Sequence, residues 1–198
     1  PSNDGRHKPD AVGPTNVRTA SRTNDTAFTA IFNGTSAATP HIAGLAALWR
    51  NWALGSMPVI DPGQLYSMLL AFGNHTGNNS IGDSTTGAGL VVAPTSATWF
   101  ANRETLTAGQ TKDIPLNITG TISSIEAAIW WPETSAQHND VDLYLIAPDG
   151  SQKAYSIWTY TVWEKVRYAT TTVGTWKLRV KNRGTAAQTV YSTLLQRF

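Results

Sequence analysis

Asn33-Gly34-Thr35-Ser36-Ala37-Ala38-Thr39-Pro40-His41-Ile42-Ala43-Gly44 is the stretch on which the reading of this chain turns. From Ser36 to about Arg50 the apolar residues Ile42, Leu45, Leu48 and Trp49 recur at three- and four-residue spacing, which predicts a helix. Pro40 does not oppose it, because a proline in the first turn removes an amide that has no intrahelical partner. Ala37, Ala38, Ala43, Gly44, Ala46 and Ala47 leave the helix almost apolar all round and open to close approach by other elements. Such a helix belongs in the middle of a larger domain. Ser36 stands at its start, just after Gly34 frees the backbone, so its hydroxyl lies at the positive end of the helix dipole beside outward-facing amides. A serine hydroxyl becomes a good nucleophile once a base takes its proton and an oxyanion site receives the developing charge. The second requirement is met locally. A helix-capping role would explain Ser36 alone, but not Gly34-Thr35 before it or Pro40-His41 after it.

Outward from this helix, the first thirty residues are polar and punctuated by Asp4-Gly5, Pro9 and Gly13-Pro14, and read as loops around short strands at Asp10-Ala11-Val12 and Phe28–Phe32. Both strands need neighbours. Downstream, Asp61 as N-cap, Pro62 at the first helical position, the apolar set Leu65, Met68, Leu69 and Phe72, and Gly73 as terminator predict a second helix. A polar, glycine-rich loop follows from Asn74 to Gly89, then an apolar segment, Leu90-Val91-Val92, ending at Pro94. From Ser96 onward β-branched and aromatic residues dominate. Strands are expected at Lys112–Ile118, Ser124–Trp131, Asp140–Ile146, Gln152–Ser156 and Thr175–Lys181, with a last one near Thr189–Leu195. Short strands at that spacing indicate a β-sandwich, jelly-roll-like, over residues 96–198, after an α/β segment over 1–95.

With 198 residues, 41% hydrophobic and 14% charged, the chain has enough apolar material for compact folding. The formal charge of +2 carries no lysine- or arginine-rich block, so neither nucleic acid nor a membrane surface is implied as a partner. The absence of cysteine excludes disulfides and thiol chemistry, and suits an exported protein. The longest apolar runs are too short for a membrane span. Pro1 without an initiator methionine or a leader suggests a processed or trimmed product of a longer gene.

The segment from Gly34 to Gly44 resembles, almost position by position, the active-serine motif of the subtilisin-like serine proteases. Asp4-Gly5-Arg6-His7-Lys8-Pro9-Asp10-Ala11-Val12-Gly13-Pro14 is similar to the family's segment about twenty-five residues before the serine, and Gly87-Ala88-Gly89-Leu90-Val91 to its closing stretch. The resemblance covers about residues 1 to 94, the last third or so of such a catalytic domain, and implies the end of a subtilisin-like α/β fold with a central buried helix. It implies Ser36 as nucleophile with its amide as an oxyanion donor, Thr35 and Gly34 flanking the hole, and Asn33 bordering the substrate cleft. The family's aspartate, histidine and oxyanion asparagine lie earlier in its sequence, so an amino-terminal part of the same protease is implied as the partner that supplies them. His41 is five residues into the helix, about 140° around it from Ser36, and reads as structural. Departures are Ala37, where many members have methionine, and Val12-Gly13-Pro14, where the family usually shows Ala-Pro-Gly.

The implied activity is that of a secreted or otherwise extracytoplasmic serine endopeptidase acting on protein or peptide substrates through an acyl-enzyme, without an organic cofactor and with calcium as a structural ion. A noncatalytic binding or scaffold protein carrying a protease remnant is the competing reading. Asp140, Asp142 and Asp149 surround a strand-turn unit and read either as a calcium site or as turn chemistry on an outward strand face. His7, His75 and His138 read as solvated loop residues, since none has a second ligand at metal-binding spacing. Trp130, Trp131, Trp158, Trp163 and Trp176 read as core or as a binding strip. Asn24, Asn33, Asn74, Asn78 and Asn117 open Asn-x-Ser/Thr triplets that read as chance occurrences. The carboxy-terminal unit resembles the appendages that follow secreted protease domains, both the proprotein-convertase P domain and the bacterial pre-peptidase C-terminal type. That resemblance implies stabilisation of the catalytic domain or help with substrate binding.

Overall fold

The computed structural model describes residues 2–54, 61–75, 83–93, 96–134 and 137–198; Asn78 and Pro94 lie outside them. A short antiparallel hairpin, β1 (Val17–Ala20) and β2 (Phe28–Phe32), leads into helix α1 (Thr35–Leu54). Helix α2 (Pro62–Ala71) follows, and β3 (Gly73–Asn74) pairs with β4 (Leu90–Val91). The start of α2 is fixed as expected. The Asp61 carboxylate accepts from the Gly63 amide at 3.0 Å, and the Gln64 side chain accepts from the Asp61 amide at 3.1 Å, a reciprocal capping box.

Eight strands build the rest: β5 (Ala97–Leu106), β6 (Thr111–Ile118), β7 (Ser124–Trp130), β8 (Val141–Ile146), β9 (Gln152–Ser156), β10 (Trp163–Ala169), β11 (Gly174–Asn182) and β12 (Gln188–Arg197). They form two four-stranded antiparallel sheets, ordered β10-β7-β12-β5 and β6-β11-β8-β9. This distribution of successive strands between two sheets is a jelly-roll arrangement. Six strands match the expectation within two residues at each end. The other two, β5 and β10, form the edges of one sheet. Asn102-Arg103-Glu104 interrupts the apolar pattern of β5, and Glu164-Lys165 interrupts that of β10.

Between the sheets lies a dry core that includes Trp131, Trp176, Leu143, Leu145, Ile125 and Ile129. Glu164 is fully buried, and its carboxyl accepts from the Ser156 hydroxyl, the Trp158 amide at 2.7 Å and Thr161 at 3.2 Å. Burial holds its pKa well above the ordinary carboxylate range, against these hydrogen bonds.

The opposite face of the β10-β7-β12-β5 sheet is covered by the amino-terminal half of the chain. Tyr66 of α2 stacks on Trp130 at 4.9 Å, and Ser67 bonds Thr193 at 2.7 Å. Asp61 accepts from the Tyr191 hydroxyl at 3.2 Å, and Trp163 reaches Asp10. Lys165 points the same way and is almost wholly enclosed, donating to the Gly73 and Ala88 carbonyls. Burial pushes its pKa down to about 8, against the pull of the nearby Glu126 carboxylate.

Helix α1 departs from the expectation of a central buried helix. Among its described residues only Ala37, Trp49 and Ala53 are buried, Leu48 is 67% and Trp52 49% exposed, and Phe28 and Ile31 of β2 are each 65% exposed. Trp49 packs edge-on against Phe72, and Trp52 tilts onto Trp99. These contacts cover one side of an almost wholly apolar helix and leave the other bare.

The enclosed lysine makes stability pH-dependent. Its folded pKa lies below the ordinary lysine value near 10.4, so between about pH 8 and 10.4 the unfolded chain binds more protons, and this group adds stability as pH rises, by up to about 1.4 kcal/mol per pH unit. Urea unfolding at pH 7.5 and 9.5 is expected to show that gain in the wild type relative to Lys165→Met. Equal pH dependence of the two proteins contradicts it.

Candidate active site

Ser36 is the second residue of α1 and is exposed. The turn before it depends on Gly34, whose φ of 77° lies in the left-handed region that a side chain resists. The Gly34 carbonyl accepts from the Ala37 amide at 3.0 Å and the Ala38 amide at 3.2 Å, which closes the first turn. The amides of Thr35 and Ser36 are left at the open end of the helix, where a developing negative charge is favoured. Asn33 and Gly34 join β2 to this end.

Beside it runs an apolar groove of about 750 Å³. One wall is the segment Pro9, Ala11, Val12, Gly13 and Thr15; the other is Gly34, Thr35 and the Ala38, Thr39 and Ile42 side of α1. The two walls meet at Gly13, where a Cβ would stand 2.9 Å from the Ala38 carbonyl oxygen and 3.1 Å from Ile42, so the close approach needs glycine. The first wall is held from behind. The Ala88 amide donates to the Asp10 carbonyl at 2.8 Å, the Val12 amide to Gly89 at 3.1 Å and the Val91 amide to Val12 at 3.2 Å, in a short parallel bridge of Val12 with Leu90. All three quoted motif stretches therefore meet around one cleft.

No catalytic base faces Ser36 among the described residues. His41 places Nδ1 2.8 Å from the Ala37 carbonyl, its own helix backbone. His7 stands edge-on to Trp158 at 4.6 Å, His75 lies 3.5 Å from Asp83, and His138 lies 3.4 Å from Glu133. These four are all the histidines of the chain. Asp4 pairs with Arg6, and Asp10 is taken up by Lys8, Tyr66 and Trp163.

The other sequence candidates do not line the cleft. Asp142 accepts from Arg183 and from the Tyr144 hydroxyl, each at 2.6 Å. Asp149 sits beyond the far end of β8, in a turn where its carboxylate accepts from the Ser151 amide at 2.9 Å. Asp140 keeps one buried carboxylate oxygen without a hydrogen-bond partner, and burial followed by repulsion from Asp142 raises its pKa. The three carboxylates do not converge, and no cluster of metal-ligating side chains occurs among the described residues. Of the five named tryptophans only Trp158 is exposed, at 41%; Trp131, Trp163 and Trp176 are fully buried. They do not form a continuous surface strip.

Sequence reasoning missed the polar contacts behind the cleft wall: Asp10 with Tyr66 and Trp163, and Lys165 with the Gly73 and Ala88 carbonyls. The only sign of them was a Glu-Lys pair inside an aromatic and β-branched run.

Residues 1–71, which contain Ser36 and both walls of the groove, match the model of the subtilase family. This part of the chain is subtilase-like. Solved structures show weaker likeness. The serine protease of Aeromonas sobria is 13% identical, with 88% of this chain and 46% of that one aligned at a TM-score of 0.27. Its complex with the chaperone ORF2 aligns over the same shares at 9% identity and a TM-score of 0.29. The Yersinia pseudotuberculosis-derived mitogen aligns with 51% of this chain and 86% of its own at 13% identity and a TM-score of 0.41.

Gly34→Ala tests the turn. No atom lies within 4 Å of the added methyl, so its effect is the conformational cost of a left-handed alanine, about 1–2 kcal/mol. Urea unfolding is expected to show a loss of that size, and an unchanged midpoint contradicts the strain.

Proposed function

We propose that this chain is the nucleophile-bearing portion of a secreted, subtilisin-like serine endopeptidase. Ser36 attacks the carbonyl carbon of a peptide bond and forms an acyl-enzyme that water then releases. An upstream segment of the same protease supplies the histidine that takes the Ser36 proton and returns it to the leaving amine, the aspartate that orients it, and the oxyanion asparagine. Within this chain the Ser36 amide at the helix end assists the oxyanion, Thr35 and Gly34 shape the hole, and Asn33 borders the cleft.

One observation carries the reading. An exposed serine at a helix start, in the subtilase-matched residues, follows directly on Gly34 and Thr35 of an apolar groove and has no base in contact among the described residues. The bare side of α1 supports the same conclusion, since an apolar helix side needs cover and the upstream segment provides both cover and catalytic residues. The jelly roll is read as an appendage of the P-domain or pre-peptidase C-terminal kind, supporting the catalytic fold. Among the described residues no helix is long and apolar enough to cross a membrane.

A fluorophosphonate serine probe tests this. The full-length protein is expected to label at one serine, with loss of labelling in Ser36→Ala. The present chain alone is expected to react slower by roughly a million-fold, the cost of removing base and orienting acid. Labelling that survives Ser36→Ala overturns the assignment, and an upstream reading frame without aspartate and histidine motifs favours a noncatalytic scaffold.

A further inference from the structure

On the reading of Ser36 as nucleophile, we propose that Asp10, held by Trp163 and Tyr66, is a positioning residue for the Ser36 cleft, so that the jelly roll sets the geometry of the active serine. Both oxygens of the Asp10 carboxylate are engaged. The Trp163 indole N–H donates to Oδ1 at 3.0 Å, while the Tyr66 hydroxyl and, at 2.5 Å, the Lys8 ammonium donate to Oδ2. Trp163 belongs to β10 and is 1% exposed, so the contact joins a buried side chain of a jelly-roll strand to the cleft wall. The adjoining Lys165 holds the Gly73 and Ala88 carbonyls from the same strand.

From Asp10 the constraint passes along the backbone. Its carbonyl and those of Val12 and Gly89 bond the segment to β4, and the segment then runs to Gly13, in close contact with Ala38 and Ile42. Two residues on, the Thr15 hydroxyl donates to the Gly34 carbonyl at 3.4 Å, in the turn that presents Ser36. The helix needs this support at its first turn. Among the described residues its other buried residues, Trp49 and Ala53, lie more than three turns away, so the 10–15 segment supports the Ser36 end together with the β1–β2 hairpin beside Ala37, Pro40 and His41. A displacement of about 1 Å at a reacting group costs up to a hundredfold in rate, which makes such support a matter of catalysis as well as of folding.

The test uses the full-length enzyme. Asp10→Ala and Trp163→Phe are compared with Asp10→Asn, which keeps an acceptor oxygen for the indole. The rate of fluorophosphonate labelling and kcat for a peptide substrate are expected to fall about tenfold in the first two, with KM within twofold, and to recover to within about threefold of wild type in Asp10→Asn. Thermal melts accompany each variant, and rates are taken well below the lowest midpoint. Wild-type rates in Asp10→Ala and Trp163→Phe overturn the proposal. So does full recovery of their rates on further cooling, which marks a purely structural role, or Asp10→Asn as slow as Asp10→Ala. A wild-type enzyme that does not label at all fails the protease reading instead, and the proposal falls with it.

Discussion

A buried amine with only backbone carbonyls as its hydrogen-bond acceptors is costly to place, and the joining of the two halves of this chain depends on one. Lys165 sits on a sheet face where an ammonium could reach water only if the amino-terminal half were lifted away. With that half in place it is enclosed, and the Gly73 and Ala88 carbonyls replace the lost water. Around it the same face presents Trp130, Tyr191 and Thr193, each matched by a residue of α2 or its cap. An outer sheet face of this composition is unsuited to solvent, and α2 without it would lose the cover that Trp130 gives Tyr66 and Thr193 gives Ser67. The fragment and the jelly roll therefore complete one another's surfaces.

The polar character of the junction also fixes its register. Apolar faces slide over one another at little cost, whereas a carboxylate that must meet an indole N–H and a phenol hydroxyl at once has one acceptable position. Asp10 is such a group, and Tyr66 answers it: burial, together with the adjacent Asp10 charge, raises the tyrosine pKa, so the phenol remains a donor to the carboxylate at physiological pH. Glu126, further along the same face, is paired within the sheet with Arg197 at 2.6 Å and with Arg167 at 3.4 Å.

Much of this was legible in the sequence, for local reasons. The capping box of α2, the apolar spacing of α1 and the alternation of Val141, Leu143 and Leu145 each depend on residues a few positions apart, so their consequences can be read without the fold. The serine cleft was legible because its three stretches each carry a recognisable order of small residues. What could not be read was long-range. The partners of Trp163 and Lys165 lie 153 and 92 residues away, and the strand that holds them is disguised by the very charges that make the contact. The exposure of α1 was hidden for the converse reason, since its composition describes the environment it suits rather than the neighbours these residues provide.

Ser36 is thereby held on the side of the 10–15 segment. The jelly roll reaches it through Asp10, the 10–15 segment and Gly13, and every link in that route is a hydrogen bond or a close backbone contact. The groove between that segment and α1, and the bare face of α1, are apolar surfaces of the kind that bind by area rather than by direction. The two halves of the site thus differ in physical character: a polar, registered junction holds the proposed nucleophile within this chain, and a broad apolar seat suits the segment proposed to bring the base. In such an arrangement the seat supplies most of the affinity. On the proposed reading, alignment between serine and base depends on how well the registered side holds the first turn of α1, and the control of geometry then lies in the jelly roll rather than in the groove itself.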